Sequence, residues 1–259
     1  MDSRSMTIQS ELTLSDVCVN FGGLKALSDV SFDVRTGEIV GLIGPNGAGK
    51  TTIFNVITGV YKASSGDVSF GDASILGQRP HLVLKAGVAR TFQNIRLFTA
   101  MTALENVMVA LHSRTQKGIF GAILRTPSQK KEEKMIRDKA RKALQFMGVE
   151  DYADEIASNL PYGHQRRLEI ARALASEPTV ILLDEPAAGM NPAESRELMD
   201  YILKIRDHGI NVLMVEHDMK VVMGICDRIV VLDHGVLISE GSPEQVQRDP
   251  AVIEAYLGQ

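Results

Sequence analysis

The 259-residue chain is 44% hydrophobic, enough to bury a sizeable core in one large domain or two small ones. Its 28 basic and 32 acidic residues leave a net charge of -4, which offers no general attraction for nucleic acid or an anionic membrane surface, so no nucleic-acid partner is expected. The opening MDSRSMTIQSELTL has no apolar core of signal-peptide length, and no window approaches about 18 consecutive apolar residues, so an intracellular protein is expected.

From Leu12 to Phe70, short β-like runs (LTLSDVCVNF, LSDVSFDV, GEIVGLIG, GDVSF) are punctuated by glycine, with one helix-like run, TTIFNVITGV, among them. Cys18 in the first run and Cys226 far downstream stand alone in apolar settings, which favours two reduced core thiols. Between Thr102 and Ala157 the strands stop. TALENVMVALHS and SQKKEEKMIRDKARKALQFMG have helical spacing, with Gly148 as a stop, and the block reads as a helical insertion. Within it, the mixed-sign run from Lys130 to Lys142 reads as a solvated helix face. After Glu177 come two continuous apolar runs, TVILLDEP and INVLMVEHD. They flank the helical segment PAESRELMDYILKIRDHG, with Asn191 as cap, Pro192 in the first turn and Gly209 at the end. Apolar runs without alternation, separated by helices, indicate a parallel sheet covered on both faces, hence an α/β fold. A hairpin, RIVVLDHGVLISEG, and short helices near Pro243 and Pro250 close the chain.

GPNGAGKT, from Gly44 to Thr51, satisfies the phosphate-cradle pattern G-x-x-x-x-G-K-[ST], between a strand and a helix. Gly44, Pro45, Asn46, Gly47, Ala48, Gly49, Lys50, Thr51 and the adjoining Thr52 form the candidate nucleotide cradle. Backbone N–H groups from Gly47 to Thr51 converge on phosphate oxygens at a helix N-terminus, where the helix dipole also favours negative charge. Lys50 places a positive charge between the β- and γ-phosphates, and the Thr51 hydroxyl can ligate a bridging Mg2+. Asp184, at the end of a buried strand, can hold the same metal. Glu185 beside it is suited to orient and deprotonate a water for in-line attack on the γ-phosphorus. His217, at a third strand end in VEHD, is a candidate γ-phosphate sensor acting by hydrogen bonding.

Taken in order, GPNGAGKT, FQN, LPYGHQ, VILLDEP and VEHD resemble the ATP-binding subunit of ABC transporters, over most of the chain. The resemblance implies a P-loop NTPase with a mostly parallel core sheet and an N-terminal antiparallel β subdomain. It implies a single domain over 7–259, with a helical subdomain inserted at about 94–175 and a hairpin with helices over 228–259. It implies ATP and Mg2+ as ligands, with Phe21 stacking on adenine and Gln93 sensing the metal as a further ligand and catalytic residue. It implies a head-to-tail dimer, homomeric or heteromeric, two transmembrane permease subunits, an indirect substrate-binding partner, and a place on the cytoplasmic face of the membrane.

Tyr162, Gly163 and His164 occupy the place of the family signature, usually Leu-Ser-Gly-Gly-Gln, which covers the γ-phosphate of ATP held by the partner. In this role Gly163 permits close approach and the following helix aims free N–H groups at the anion. The chain departs from the pattern at Pro161, Tyr162 and His164. Pro161 has no N–H and no hydroxyl, so the missing serine's contribution comes from the Tyr162 hydroxyl or is absent. Asn191 replaces the usual aspartate in the loop after Glu185, an expected alteration of contacts across the dimer.

The combination of LPYGHQRRLEIARAL, RTFQNIRLF, EPAAGMNPAE, VEHDM and DPAVIEAYLG, with the insert containing GIFGAILRTPSQKKEE, resembles the Liv-type branched-chain amino-acid importer branch, specifically its G-type ATPase. Alternatives are an ABC ATPase for another cargo, such as lipopolysaccharide export or urea uptake, and a non-transport ABC ATPase.

Overall fold

A computed structural model of the chain describes residues 10–112 and 127–257. Two sheets organise it. The strands β1 (Ser10–Phe21), β2 (Leu24–Arg35), β4 (Ser65–Phe70) and β5 (Ala73–Ser74) make an antiparallel sheet in the order β2-β1-β4-β5. The second sheet is built from β3 (Ile39–Ile43), β6 (Val88–Arg90), β7 (Val180–Asp184), β8 (Asn211–Val215), β9 (Arg228–Asp233) and β10 (Val236–Gly241). Its order is β10-β9-β3-β8-β7-β6, with every described pair parallel except β9 with β10.

The unbroken apolar runs have a simple cause: both faces of this sheet are covered. Val40, Leu42, Val180, Leu182, Leu213, Val215, Val230 and Leu232 face one core, shared with the antiparallel sheet and with helix α1 (Lys50–Ile57). Their sequence neighbours Ile39, Ile43, Ile181, Leu183, Val212, Met214, Ile229 and Val231 face the other core. There they meet α6 (Pro192–Asp207) and α7 (Met219–Ile225). Each such fully buried side chain contributes about 1.5–3 kcal/mol, so the two-sided burial dominates the choice of fold. The hairpin turns at His234 and Gly235, with φ of 46 and 79, the left-handed pair that matches strand twist in a two-residue loop.

The helical block consists of α3 (Ala103–His112), α4 (Pro127–Phe146) and α5 (Tyr162–Leu174). Along α4, Ile136, Ala140 and Leu144 recur every four residues and are buried against the block, while Lys134, Arg137, Asp138 and Lys139 are exposed. The solvated-face expectation therefore holds for the side chains described; those of Lys130 and Lys131 lie outside them. Most of GIFGAILRTPSQKKEE also lies outside the described residues, as do residues 7–9 and 258–259. The remaining α-helices among the described residues are α2 (Pro80–Ala86), α8 (Pro243–Gln247) and α9 (Pro250–Leu257). Neither α2 nor α7 nor β6 is expected from the sequence. At seven, seven and three residues they are too short to establish a period. Cys18 and Cys226 are both buried and free, and burial pushes the Cys226 thiol up to about 12.

Candidate functional site

Parallel pairing lines up the strand ends that carry the predicted chemistry. Val215 of β8 pairs with Leu42 of β3 on one side and with Asp184 of β7 on the other, and Arg90 of β6 pairs with Leu182. The loops that leave these ends therefore emerge side by side at the carboxyl edge of the sheet, where open α/β folds bind ligands. They begin at Gly44, Glu185, Glu216 and Thr91, the last of these leading to Gln93.

The loop from Gly44 to Gly49 turns β3 into α1 through conformations that need glycine. Gly44 has φ 149, and a Cβ there would sit 2.1 Å from the Leu232 carbonyl oxygen. Gly49 caps α1 with φ 104, and a Cβ would meet Leu27 at 2.7 Å. Lys50 is buried, and its Nζ donates to the carbonyls of Gly44 at 2.5 Å and Pro45 at 2.8 Å. Burial pushes its pKa down, while the nearby Glu185 carboxylate works in the opposite direction. Thr51 is exposed and Thr52 half-buried in the first turn of α1, with Asn46 and Gly47 exposed at the loop tip. Those first-turn N–H groups have no intrahelical acceptor and form a ready anion site.

Glu185 directly follows β7 and is held from three directions. Its backbone N–H donates to Val215, the Gln93 Nε2 donates to Oε2 at 2.9 Å, and the His217 Nε2 lies 2.8 Å from Oε1. Its φ is 47, a rare conformation for a non-glycine residue and one that costs on the order of 1–3 kcal/mol. The structure thus brings Gln93, Glu185 and His217 into one hydrogen-bonded cluster, although they lie far apart in sequence.

Asp184 is buried and accepts from the Arg90 Nη2 at 2.9 Å. Sequence reasoning missed Arg90, which also donates to Asn55 at 2.7 Å and has its guanidinium carbon 5.3 Å and 5.1 Å from the ring centroids of Phe54 and Phe92. Its single basic side chain within VAR carries no local mark of a partner 94 residues away. Thr51, Asp184 and Gln93 together offer hydroxyl, carboxylate and amide oxygens. With the Gln93 nitrogen engaged by Glu185, its oxygen is the atom left for a cation. That hard-oxygen set suits Mg2+, which is commonly held by few protein ligands alongside substrate phosphates.

Phe21 ends β1 and is 45% exposed; among the described residues its ring packs edge-to-face with that of Tyr61, at 5.2 Å between centroids. Tyr61, also missed, is a second exposed ring in the loop that follows α1.

At the start of α5, Pro161 is the N-cap, with φ -53 and ψ 151, so its missing N–H costs nothing there. Tyr162 is 44% exposed and lies against Gly189, in the loop after Glu185; its hydroxyl makes a long 3.4 Å contact with the Arg166 Nη2. Gly163 is buried. A Cβ there would approach Glu194 of α6 at 3.2 Å, so packing within the chain is itself a reason for glycine. His164 packs edge-on against Tyr152, with ring centroids 4.7 Å apart, and burial followed by the Arg167 charge pushes its pKa down. Asn191 caps α6, accepting from the N–H groups of Ala193 and Glu194, while the Glu194 carboxylate accepts from the Asn191 N–H.

Arg166 is fully buried and joins two parts of the site. Its guanidinium donates to the carbonyls of Phe92 and Gln93, both at 2.7 Å, and to Glu169 at 2.9 Å. The loop bearing Gln93 is thereby tied to the helix bearing Tyr162 and Gly163. Arg166→Met removes one partner of a buried ion pair and is expected to cost about 3–5 kcal/mol, read as a lower urea midpoint. A loss below about 1 kcal/mol would mean that Glu169 neutralises at little cost.

Comparison with known proteins follows the same lines. A family model described as "ABC transporter" matches residues 27–188, and one described as "Branched-chain amino acid ATP-binding cassette transporter" matches residues 236–259. The chain is 45% identical over 252 residues to the high-affinity branched-chain amino acid transport ATP-binding protein LivG of Salmonella typhimurium, covering 97% of this chain and 99% of that protein. It is 43% identical over 249 residues to BraF of Pseudomonas aeruginosa, a protein of the same description, covering 96% of this chain and 98% of that protein. The crystal structure of the ADP conformation of an ATP-binding cassette of an ABC transporter superposes with a TM-score of 0.85 at 34% identity, covering 97% of this chain and 100% of that one. A dimeric post-hydrolysis cassette bound to ADP and Pi superposes with a TM-score of 0.74 at 26% identity, covering 90% of this chain and 98% of that one.

Proposed function

The chain belongs to the ATP-binding cassette family of ABC transporters, and from that membership we propose that it is the ATP-hydrolysing subunit of an importer for branched-chain amino acids. The observation that carries the chemistry is Glu185, held between Gln93 and His217 at the carboxyl edge of the sheet. The match over residues 236–259 and the branched-chain amino acid transport described for the relatives favour this cargo over lipopolysaccharide or urea.

In this reading ATP lies with its phosphates against the first turn of α1, and its adenine against the exposed ring of Phe21. Lys50 exchanges its loop carbonyls for phosphate oxygens. Thr51, Asp184 and Gln93 would hold Mg2+, which would offset the charge on the ATP phosphates. Both carboxylate oxygens of Glu185 are engaged within the chain, Oε2 by Gln93 and Oε1 by His217. His217 would turn to the γ-phosphate, which frees Glu185 Oε1 to align a water and accept its proton, while the Gln93 oxygen would serve as a metal ligand.

A second subunit, identical or similar, docks head to tail so that its Tyr162, Gly163 and His164 region covers this ATP. Tyr162, exposed at the start of α5, suits that role, and similarity to a dimeric cassette supports it. No described helix is long and apolar enough to cross a membrane. Association with the cytoplasmic face is accordingly assigned to two permease subunits, with a substrate-binding protein acting on them from the other side.

The test is to purify the chain with the membrane proteins it captures, reconstitute them in liposomes with their binding protein, and measure uptake. ATP-dependent accumulation of leucine is expected. Transport of another cargo with no leucine uptake would reject the branched-chain assignment while leaving the ATPase reading intact.

A further inference from the structure

Among the buried charged groups, Glu216 has no part in the chemistry above, yet it lies at the same sheet edge between two of the groups that do. Its side chain is 4% exposed. Oε1 accepts the backbone N–H of Ala187 at 2.7 Å, and Oε2 accepts the backbone N–H of His217 at 3.1 Å. The Asp218 backbone N–H adds a third interaction with the same carboxylate. Ala187 lies two residues beyond Glu185, and His217 is the residue whose ring reaches Glu185. The contacts close a ring: Glu185, Pro186 and Ala187 along the chain, across to the Glu216 carboxylate, along to His217, and back to the Glu185 side chain. We infer that Glu216 is a positioning residue, which fixes the Glu185 backbone in its φ 47 conformation and sets the separation of Glu185 from His217.

The physical argument rests on what a buried carboxylate requires and what the loop lacks. A carboxylate buried to this degree is costly unless its oxygens are satisfied, and here backbone donors from both loops satisfy them. The Glu185 conformation is strained and persists only where surrounding contacts over-determine it. The Val215 carbonyl fixes the residue from the strand side, and Ala187 held by Glu216 fixes it from the loop side. Pro186 between them supplies no N–H of its own. Burial pushes the Glu216 carboxyl up, and the three N–H groups pull it back.

This inference rests on Glu185 being the base, and the experiment separates the two. Glu216→Gln keeps the shape but turns an NH2 towards a backbone donor, displacing one loop. The expected result is a fall in kcat of about 10²-fold, the scale of an ångström misplacement, with KM for ATP changed by less than about threefold. In a Glu185→Gln background, the same change should still allow the ATP-trapped dimer to form, since neither the cradle nor the dimer surface is altered. Glu216→Asp keeps the charge but shortens the reach, and should lose activity nearly as much as the glutamine variant. A kcat within about threefold of the unaltered protein for either variant overturns the inference. So does an equal loss of monomer ATP binding, or insolubility of both variants, since each assigns Glu216 to general folding. If Glu185→Gln alone hydrolysed ATP normally, the choice of base would fail independently of Glu216.

Discussion

Glu185→Gln is expected to abolish steady-state ATP hydrolysis while leaving ATP binding intact, so that an ATP-trapped dimer accumulates in gel filtration. The substitution is nearly isosteric and removes only the capacity to accept a proton, which places the loss at about 10²–10⁴-fold or more. Glutamine can still face both neighbours: its oxygen accepts from Gln93 at the position Oε2 now holds, and its nitrogen can donate to the His217 Nε2 in the other tautomer. The fold, the phosphate cradle and the surface at the start of α5 are untouched. ATP then adds contacts to the closed dimer without the step that removes them, and the population shifts towards that dimer. Normal hydrolysis by this variant would remove Glu185 from its role. Lost hydrolysis without a trapped dimer would mean that the substitution disturbs ATP binding or the dimer surface as well as proton transfer.

The separation between what was legible in the sequence and what was not follows from the range of the interactions. The two-sided sheet was legible because alternate residues of β3, β7, β8 and β9 all face apolar cores, which leaves unbroken hydrophobic runs. The cap at Asn191 and the stop at Gly148 were legible because their physics acts within a few residues. The cradle was legible because its glycines, Lys50 and Thr51 are adjacent. The charged residues that brace the site were not. Arg90, Arg166, Glu169 and Glu216 look like ordinary solvated charges in their local context, yet all are largely or wholly buried. All four reach partners brought close only by the finished fold: Asp184 for Arg90, the Phe92 and Gln93 carbonyls for Arg166, the Arg96 N–H for Glu169 and the Ala187 N–H for Glu216. Arg166 is the sharpest instance, since its place in the basic start of α5 suggests a structural or solvated side chain and only the fold decides between them. Gly163 shows the reverse: the family resemblance implied close approach of a ligand there, and the fold adds an internal reason, the Glu194 side chain of α6.

Lys50→Ala should produce the second large effect, at the binding step. The ammonium group is already buried and satisfied by the Gly44 and Pro45 carbonyls, which hold it at the inner wall of the cradle. Burial disfavours its charged form and the Glu185 carboxylate favours it. A positive charge kept in a partly dry site is worth more to a phosphate than one in water, since screening there is weaker. Hydrogen bonds to charged groups contribute about 1.5–3 kcal/mol each, so losing one or two phosphate contacts predicts ATP affinity lower by about 10- to 10⁴-fold. The same substitution leaves two loop carbonyls without their donor, so the nucleotide-free protein should also melt somewhat earlier. Titration calorimetry and thermal melting read the two effects separately. Weakened ATP binding with the Phe21 platform intact should still leave measurable affinity for adenosine, which has no phosphate to lose. Unchanged ATP affinity in the alanine variant would refute the cradle. Equal losses for ATP and adenosine would instead mean that the lysine shapes the loop and does not hold the phosphates.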